Sequence, residues 1–227
     1  MSVPLALPIV LVCGCQTHEA YLRAALSRFA NPTCWHTVGF IGDPTLTTAV
    51  YDEATQIVTL PVPDTYETLP KKVHAALTWA MERWPDAPGI FKTDDDILME
   101  SRDALVTAIQ KNLAVPFWGT RVGQCSAGYV TLQRIQTQFT DKSLRPRYHA
   151  ALYCYGHGYW LSAEAVRVAI AAADIYAASC LEDVCTGAVM NRAGWRPLHV
   201  PVPYREMPRV PELLQYRPPP TENASSR

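Results

Sequence analysis

Residues 89–100 read "GIFKTDDDILME": an apolar run, a lysine and a threonine, three consecutive aspartates, then an apolar run again. Three adjacent carboxylates repel one another, so their placement needs a reason. They form either a solvated turn or a socket for a cation. "GIFKT" (89–93) reads as a short strand that delivers Asp94, Asp95 and Asp96 to its carboxyl end.

Upstream of this strand the chain alternates strand and helix. "IVLVCG" (9–14) is a continuous apolar run with β-branched residues, as expected of a strand buried on both faces. A helix is expected from Thr17 as N-cap, with Leu22, Ala25, Leu26 and Phe29 on one face. "HTVGFIGD" (36–43) and "TQIVTL" (55–60) read as strands. The next helix is expected from about Thr68 to Trp84, with Pro70 in the tolerant first turn. Its stripe is Leu69, Val73, Ala76, Leu77, Ala80 and Met81. Such alternation predicts an α/β fold, a mostly parallel sheet flanked by helices. Ligands bind outside the carboxyl ends of such strands, which puts the aspartates on the functional edge.

Downstream, a helix is expected over 101–112, followed by strand-like "VPFWGT" (115–120) and "AGYVTLQRI" (127–135). An aromatic-rich stretch (147–162) leads to a helix opening at Ser162. Another helix starts near Glu182 and is stopped by Gly194. The expected organisation is one domain over 1–205 and a Pro-rich, disordered tail over 206–227, in which Asn223 sits in a glycosylation sequon.

Bulk properties narrow the function. A chain of 227 residues, 48% hydrophobic and 18% charged, suits a single globular domain. A net charge of −1 with no basic run disfavours nucleic-acid binding. No apolar run is long enough for a transmembrane helix. Pro4 and Pro8, with no charged residues ahead of them, make the opening a lead-in to a strand rather than a signal peptide. Seven cysteines without a CxxC pair read as reduced thiols. The expectation is a soluble, cytoplasmic protein.

Three stretches carry chemistry. Asp94 and Asp96, two apart, point the same way and suit a hard cation whose shell is completed by phosphate oxygens. Such an ion holds a diphosphate and stabilises it as it leaves. A DxD phosphatase-like hydrolase is the rival chemistry, although Ile97 and Leu98 follow the motif here and three strands precede it. "LEDVCTG" (181–187) puts Glu182 and Asp183 at a helix N-terminus, where the macrodipole keeps a carboxylate ionised, either as a cap or as a general base. "YCYGHGYWLS" (153–162) combines aromatics with Gly156 and Gly158, which either admit a ligand to the backbone or let a bulged strand pack tightly.

Together these segments resemble the β-1,3-galactosyltransferase-like enzymes, glycosyltransferase family 31, which include the fringe proteins. "FKTDDDILM" resembles their K-x-DDD, "YCYGHGYWLS" their Y-C-x-G-x-G-Y-x-x-S, and "EDVCTG" their E-D-V-x-x-G. "DTYETLPKKV" (64–73) is similar to D-x-Y-x-N-L-T-x-K-T, with Thr68 and Pro70 as departures, and "FIGD" (40–43) matches a strand ending in glycine.

The resemblance implies a GT-A fold and inverting transfer of a hexose, such as galactose or N-acetylglucosamine. The donor would be a UDP-sugar, the acceptor a glycan or glycoconjugate hydroxyl, the linkage β-1,3, and the cofactor Mn²⁺ or Mg²⁺. By matching positions, Asp96 would ligate the metal directly, while Asp94 and Asp95 would contact metal-bound water, ribose or donor sugar. His199 would be a further ligand and Asp183 the general base. Lys72 would support the nucleotide, with further contacts near Thr17 and Arg23. Gly156, His157, Gly158 and Glu182 would face substrate. The family's arginine-rich helix survives only as Arg23 and Arg28, and its membrane anchor is missing, which points to a bacterial or viral enzyme or a piece of a larger polypeptide. An inactive sugar-nucleotide-binding module and a retaining transferase are the remaining alternatives.

Overall fold

The computed structural model describes residues 6–207. The chain begins β1 (Ile9–Cys13), α1 (Glu19–Phe29), β2 (His36–Gly42), β3 (Val50–Asp52), β4 (Ile57–Leu60), α2 (Leu69–Arg83) and β5 (Gly89–Asp94). β6 (Ile97–Met99), α3 (Arg102–Lys111) and β7 (Phe117–Gly119) follow. A lobe of short elements comes next: β8 (Val122–Cys125), β9 (Gly128–Tyr129), α4 (Leu132–Gln138), β10 (Arg147–Tyr148) and β11 (Ala151–Cys154). The last elements are β12 (Tyr159–Ser162), α5 (Ala163–Ala171), α6 (Ala173–Ala178), α7 (Glu182–Arg192), β13 (Leu198–His199) and β14 (Tyr204–Glu206).

Every residue of β1 is buried, as its unbroken apolar run requires, and β1 lies inside the main sheet. That eight-stranded sheet runs β13-β7-β12-β5-β1-β2-β4-β3. β5, β1, β2 and β4 are parallel; β12 runs against β5 and β7, and β3 against β4. Alternation along β1 sends Ile9, Leu11 and Cys13 into a layer with Val73, Leu77 and Val166 of α2 and α5. Val10 and Val12 enter the opposite layer with Leu22, Phe29 and Leu105 of α1 and α3. Each such side chain contributes about 1.5–3 kcal/mol on full burial, which holds the strand ends in fixed register. This is an α/β fold of the GT-A type, with helices on both faces of a mixed, mostly parallel sheet.

Several expectations are corrected. Thr17 does not cap α1: residues Gln16–His18 form a 3₁₀ turn and the Thr17 hydroxyl lies 3.2 Å from Cys15 Sγ. The strand expected over 127–135 shrinks to Gly128–Tyr129. Thr131 accepts a hydrogen bond from the Arg134 N–H at 3.3 Å and starts α4, so a local cap outweighs the β-branched composition. β3, β6 and β14 are too short for a periodic signal. β14 pairs antiparallel with β6 and thereby closes the chain over the aspartate turn. Ser162 does cap α5, accepting from the Ala165 N–H, and Gly194 with φ +86° ends α7.

The seven cysteines are free thiols. No helix among the described residues is long and apolar enough to cross a membrane. The "RPPPTENASSR" tail and Asn223 lie outside the described residues.

Candidate active site

β5 carries a lysine where a buried strand would ordinarily be apolar. Lys92 is 1% exposed, and its Nζ donates to Asp94 Oδ1 at 2.6 Å and to Glu182 Oε2 at 3.1 Å. It also lies 3.4 Å from the Gly156 carbonyl oxygen. Burial by itself would lower the pKa of this ammonium; Asp94 and then Glu182 outweigh burial and hold it well above the usual lysine range. Lys92 therefore clamps three segments far apart in sequence: the aspartate strand end, the glycine loop and the start of α7.

The three aspartates divide by pleat. Asp94 and Asp96 are half-buried, whereas Asp95 has no exposed surface. The Asp95 N–H donates to the Cys13 carbonyl at 3.0 Å, and its own carbonyl accepts from Arg28 Nη2 at 2.7 Å. Its backbone thereby ties the aspartate turn to β1 and α1. Arg28, itself buried, braces the aspartate turn. The Asp96 carbonyl accepts from the Met207 N–H at 2.9 Å, beyond β14.

Glu182 is buried and saturated: Oε2 takes Lys92, while Oε1 accepts from the Tyr159 hydroxyl and, at 3.3 Å, from Thr186. It holds the site together. Asp183, one residue on, lines a cleft of about 500 Å³ together with Tyr129, Tyr148, Tyr153, Tyr155 and Arg134. Its Oδ1 accepts the Val184 N–H at 2.8 Å. Burial, then the charge of Glu182, push its pKa up from 3.8 to about 6, against the stabilising Val184 contact. Gly187 lets α7 come this close: a Cβ there would stand 2.5 Å from Tyr153 Cβ.

The glycine pair splits in role. A Cβ on Gly156 would sit 3.0 Å from Asp94 Oδ2 and 3.4 Å from Lys92 Nζ, so this glycine keeps the space before Asp94 open. A Cβ on Gly158 would meet Phe91 Cζ at 2.7 Å, inside the core, so packing requires a glycine here. Gly158→Ala should cost about 1–3 kcal/mol, lowering the melting temperature by several degrees. Gly156→Ala should change the melting temperature by much less and lower turnover instead. Thermal melts beside turnover assays check the pair; a larger melting shift for Gly156→Ala would reverse the assignment.

The remaining expected residues are scattered. Lys72 is buried, donating to the Gly14 carbonyl at 2.7 Å and to Asp64 Oδ1 at 2.5 Å, and Asp64 Oδ2 accepts the Gln16 N–H at 2.7 Å. It therefore shapes the loop after β1 from beneath. Arg23 is exposed and paired with Glu19 one turn earlier on α1. His157 Nε2 is 2.8 Å from Glu206 Oε2, and its carbonyl accepts from Thr93 Oγ1 at 2.7 Å, which pins it to β14 and the end of β5. His199 lies 3.0 Å from the Thr120 carbonyl oxygen. The register His199–Gly119–Tyr159–Lys92 puts it on the third strand from β5, level with Lys92.

A family model described as Galactosyltransferase matches residues 38–201, which include the aspartates, the glycine loop and the start of α7. The chain belongs to the galactosyltransferase family. Membership makes the protein a glycosyltransferase. No curated protein matches the chain significantly. Among solved structures it is similar to a 4-diphosphocytidyl-2C-methyl-D-erythritol synthase, with 14% identity over 92% of this chain and 96% of that one and a TM-score of 0.52. It is also similar to the 2-C-methyl-D-erythritol 4-phosphate cytidylyltransferase from Thermus thermophilus, with 12% identity, coverage of 92% and 95%, and a TM-score of 0.51. At such identity the likeness is one of fold. Thr17, Arg23 and Arg28 precede the stretch that makes this chain a galactosyltransferase family member.

Lys92, Asp64 and the tyrosine cleft of the transferase are additions to the sequence reading. The signal for Lys92 was its position, two residues before Asp94 on the same face of a strand that is otherwise apolar.

Proposed function

We propose that the protein is an inverting transferase that moves a hexose from a UDP-sugar to a glycan hydroxyl, with β-1,3 linkage. The observation carrying this reading is the Lys92 clamp, which holds the phosphate-side carboxylate Asp94 next to the helix start that bears Asp183. In the reaction Asp183 takes the proton of the acceptor hydroxyl, whose oxygen forms the new bond to the anomeric carbon. The bond to UDP breaks with its electron pair leaving on the diphosphate. One base opposite the leaving group suffices, and no covalent nucleophile is needed.

Asp94 and Asp96 are oxygen donors of the kind Mn²⁺ and Mg²⁺ take, and Asp94 Oδ2 faces the gap that Gly156 leaves. Among the described residues no group of three or more acidic, histidine or cysteine side chains forms a ready cage. One or two carboxylates completed by substrate phosphates is the arrangement this donor set fits. A divalent cation bound there would offset the charge that grows on the departing diphosphate.

Purified protein with Mn²⁺ should release UDP from one member of a UDP-sugar panel when glycan acceptors are present, and chelation should stop release. Asp96→Ala should weaken UDP binding in Mn²⁺ by about tenfold or more. Intact UDP binding without turnover across the panel would favour an inactive binding module, and equal UDP affinity with and without metal would remove Asp96 as a ligand.

A further inference from the structure

The lobe between β7 and β12 has a charge balance unlike the rest of the chain. Residues 121–155 hold five cations (Arg121, Arg134, Lys142, Arg145 and Arg147) against one acid, Asp141, in a chain of net charge −1. Two of the five are spent on the lobe's own backbone: Lys142 Nζ donates to the Gln136 carbonyl at 2.8 Å, and Arg145 Nη1 to the Lys142 carbonyl at 3.0 Å. The other three surround the cleft. Arg134 lines it, the Arg121 guanidinium stands 4.7 Å over the Tyr155 ring, and the Arg147 guanidinium stands 5.1 Å over the Tyr129 ring. Among the described residues none of these three arginines is in an ion pair. Among the described residues Asp183 is the one acid lining the cleft.

We infer that the acceptor is an anionic saccharide, a sugar bearing a carboxylate or a phosphate, bound in this tyrosine cleft with its charge on Arg134, Arg121 and Arg147. The inference rests on the transferase reading for the word acceptor; the anion site itself does not. Tyrosine faces suit the C–H surfaces of a sugar ring, and guanidinium groups pair with planar carboxylate or phosphate oxygens through two parallel N–H bonds. Stacking on Tyr155 and Tyr129 orients two of the guanidiniums, which leaves less freedom to lose on binding. A volume of about 500 Å³ takes a small ligand such as one or two sugar rings. An acid in the acceptor also fits the local field: three cations attract it, and the single carboxylate it meets is the one positioned to take its hydroxyl proton.

The test is binding by the full chain, without donor, of four probes. These are a tetrasaccharide of alternating hexuronic acid and N-acetylhexosamine, its carboxyl-reduced analogue, a disaccharide with a phosphate monoester, and oligothymidine. The acidic tetrasaccharide or the phosphodisaccharide should bind roughly tenfold tighter than the reduced analogue at low salt, and the advantage should shrink as salt rises. Arg134→Gln combined with Arg121→Gln should remove most of that preference in a protein that melts with the parent. The stronger of the two anionic probes identifies the anion. Equal binding of acidic and reduced sugars, or an undiminished preference in the variant, overturns the inference. Oligothymidine binding tighter than either saccharide overturns it in favour of a nucleic-acid surface. UDP release is scored separately: release without anion preference refutes this inference alone, whereas anion preference without release refutes the transferase reading and leaves the anion site standing.

Discussion

Asp183→Asn is expected to lower transfer by about 10²- to 10⁴-fold, the usual worth of a positioned general base, while metal-dependent UDP binding survives. It should also make the protein more stable at neutral pH. The Asp183 carboxyl is raised from 3.8 to about 6, first by burial and then by Glu182. Between about pH 4 and pH 6 the native state thus holds a proton that the unfolded chain has lost. Stability falls as pH rises through that window and stays lower above it.

The full shift would correspond to about 3 kcal/mol. Asp183 borders an open cleft, so solvent screening brings the expected gain to about 1–2 kcal/mol at pH 7 and to nothing below pH 4. The same titration gives the wild-type turnover an acid limb near pH 6, because the base must be ionised. Parallel melts and pH–rate profiles check both halves. Wild-type-like turnover in the variant would end the base assignment; a stability gain that persists at pH 4 would mean that packing, and not charge, is responsible. A residue whose removal stabilises the fold and abolishes the chemistry is held there for function.

The elements readable from sequence are those whose period is long enough to repeat. β1 is apolar at every position and α2 carries a stripe of six, so both were legible, and with them the placement of the aspartates at a strand end. Elements of two or three residues such as β6 and β14 have no period to read, yet they close the aspartate turn. Alternation alone separates Asp95 from its neighbours, whereas the family resemblance groups Asp95 with Asp94. The cleft was invisible because Tyr129, Tyr148, Tyr153 and Tyr155 come from separate elements and converge only when α7 packs on β11 through Gly187.

Lys92→Met is expected to destabilise the protein by about 3–5 kcal/mol, the range for removing one partner of a buried ion pair. For a domain of this size that corresponds to a fall in melting temperature on the order of 10 °C. Methionine keeps most of the volume, so the loss comes from charge: Glu182, with a side chain 3% exposed, is left with no cation, and Asp94 faces it across the vacated space. One measurement separates this from a packing defect. Adding Glu182→Gln should recover much of the loss, because the amide oxygen still accepts from Tyr159 and Thr186 while the buried charge is gone. No recovery in the double variant would show that Lys92 fills space rather than clamps the strand end to the helix that bears Asp183.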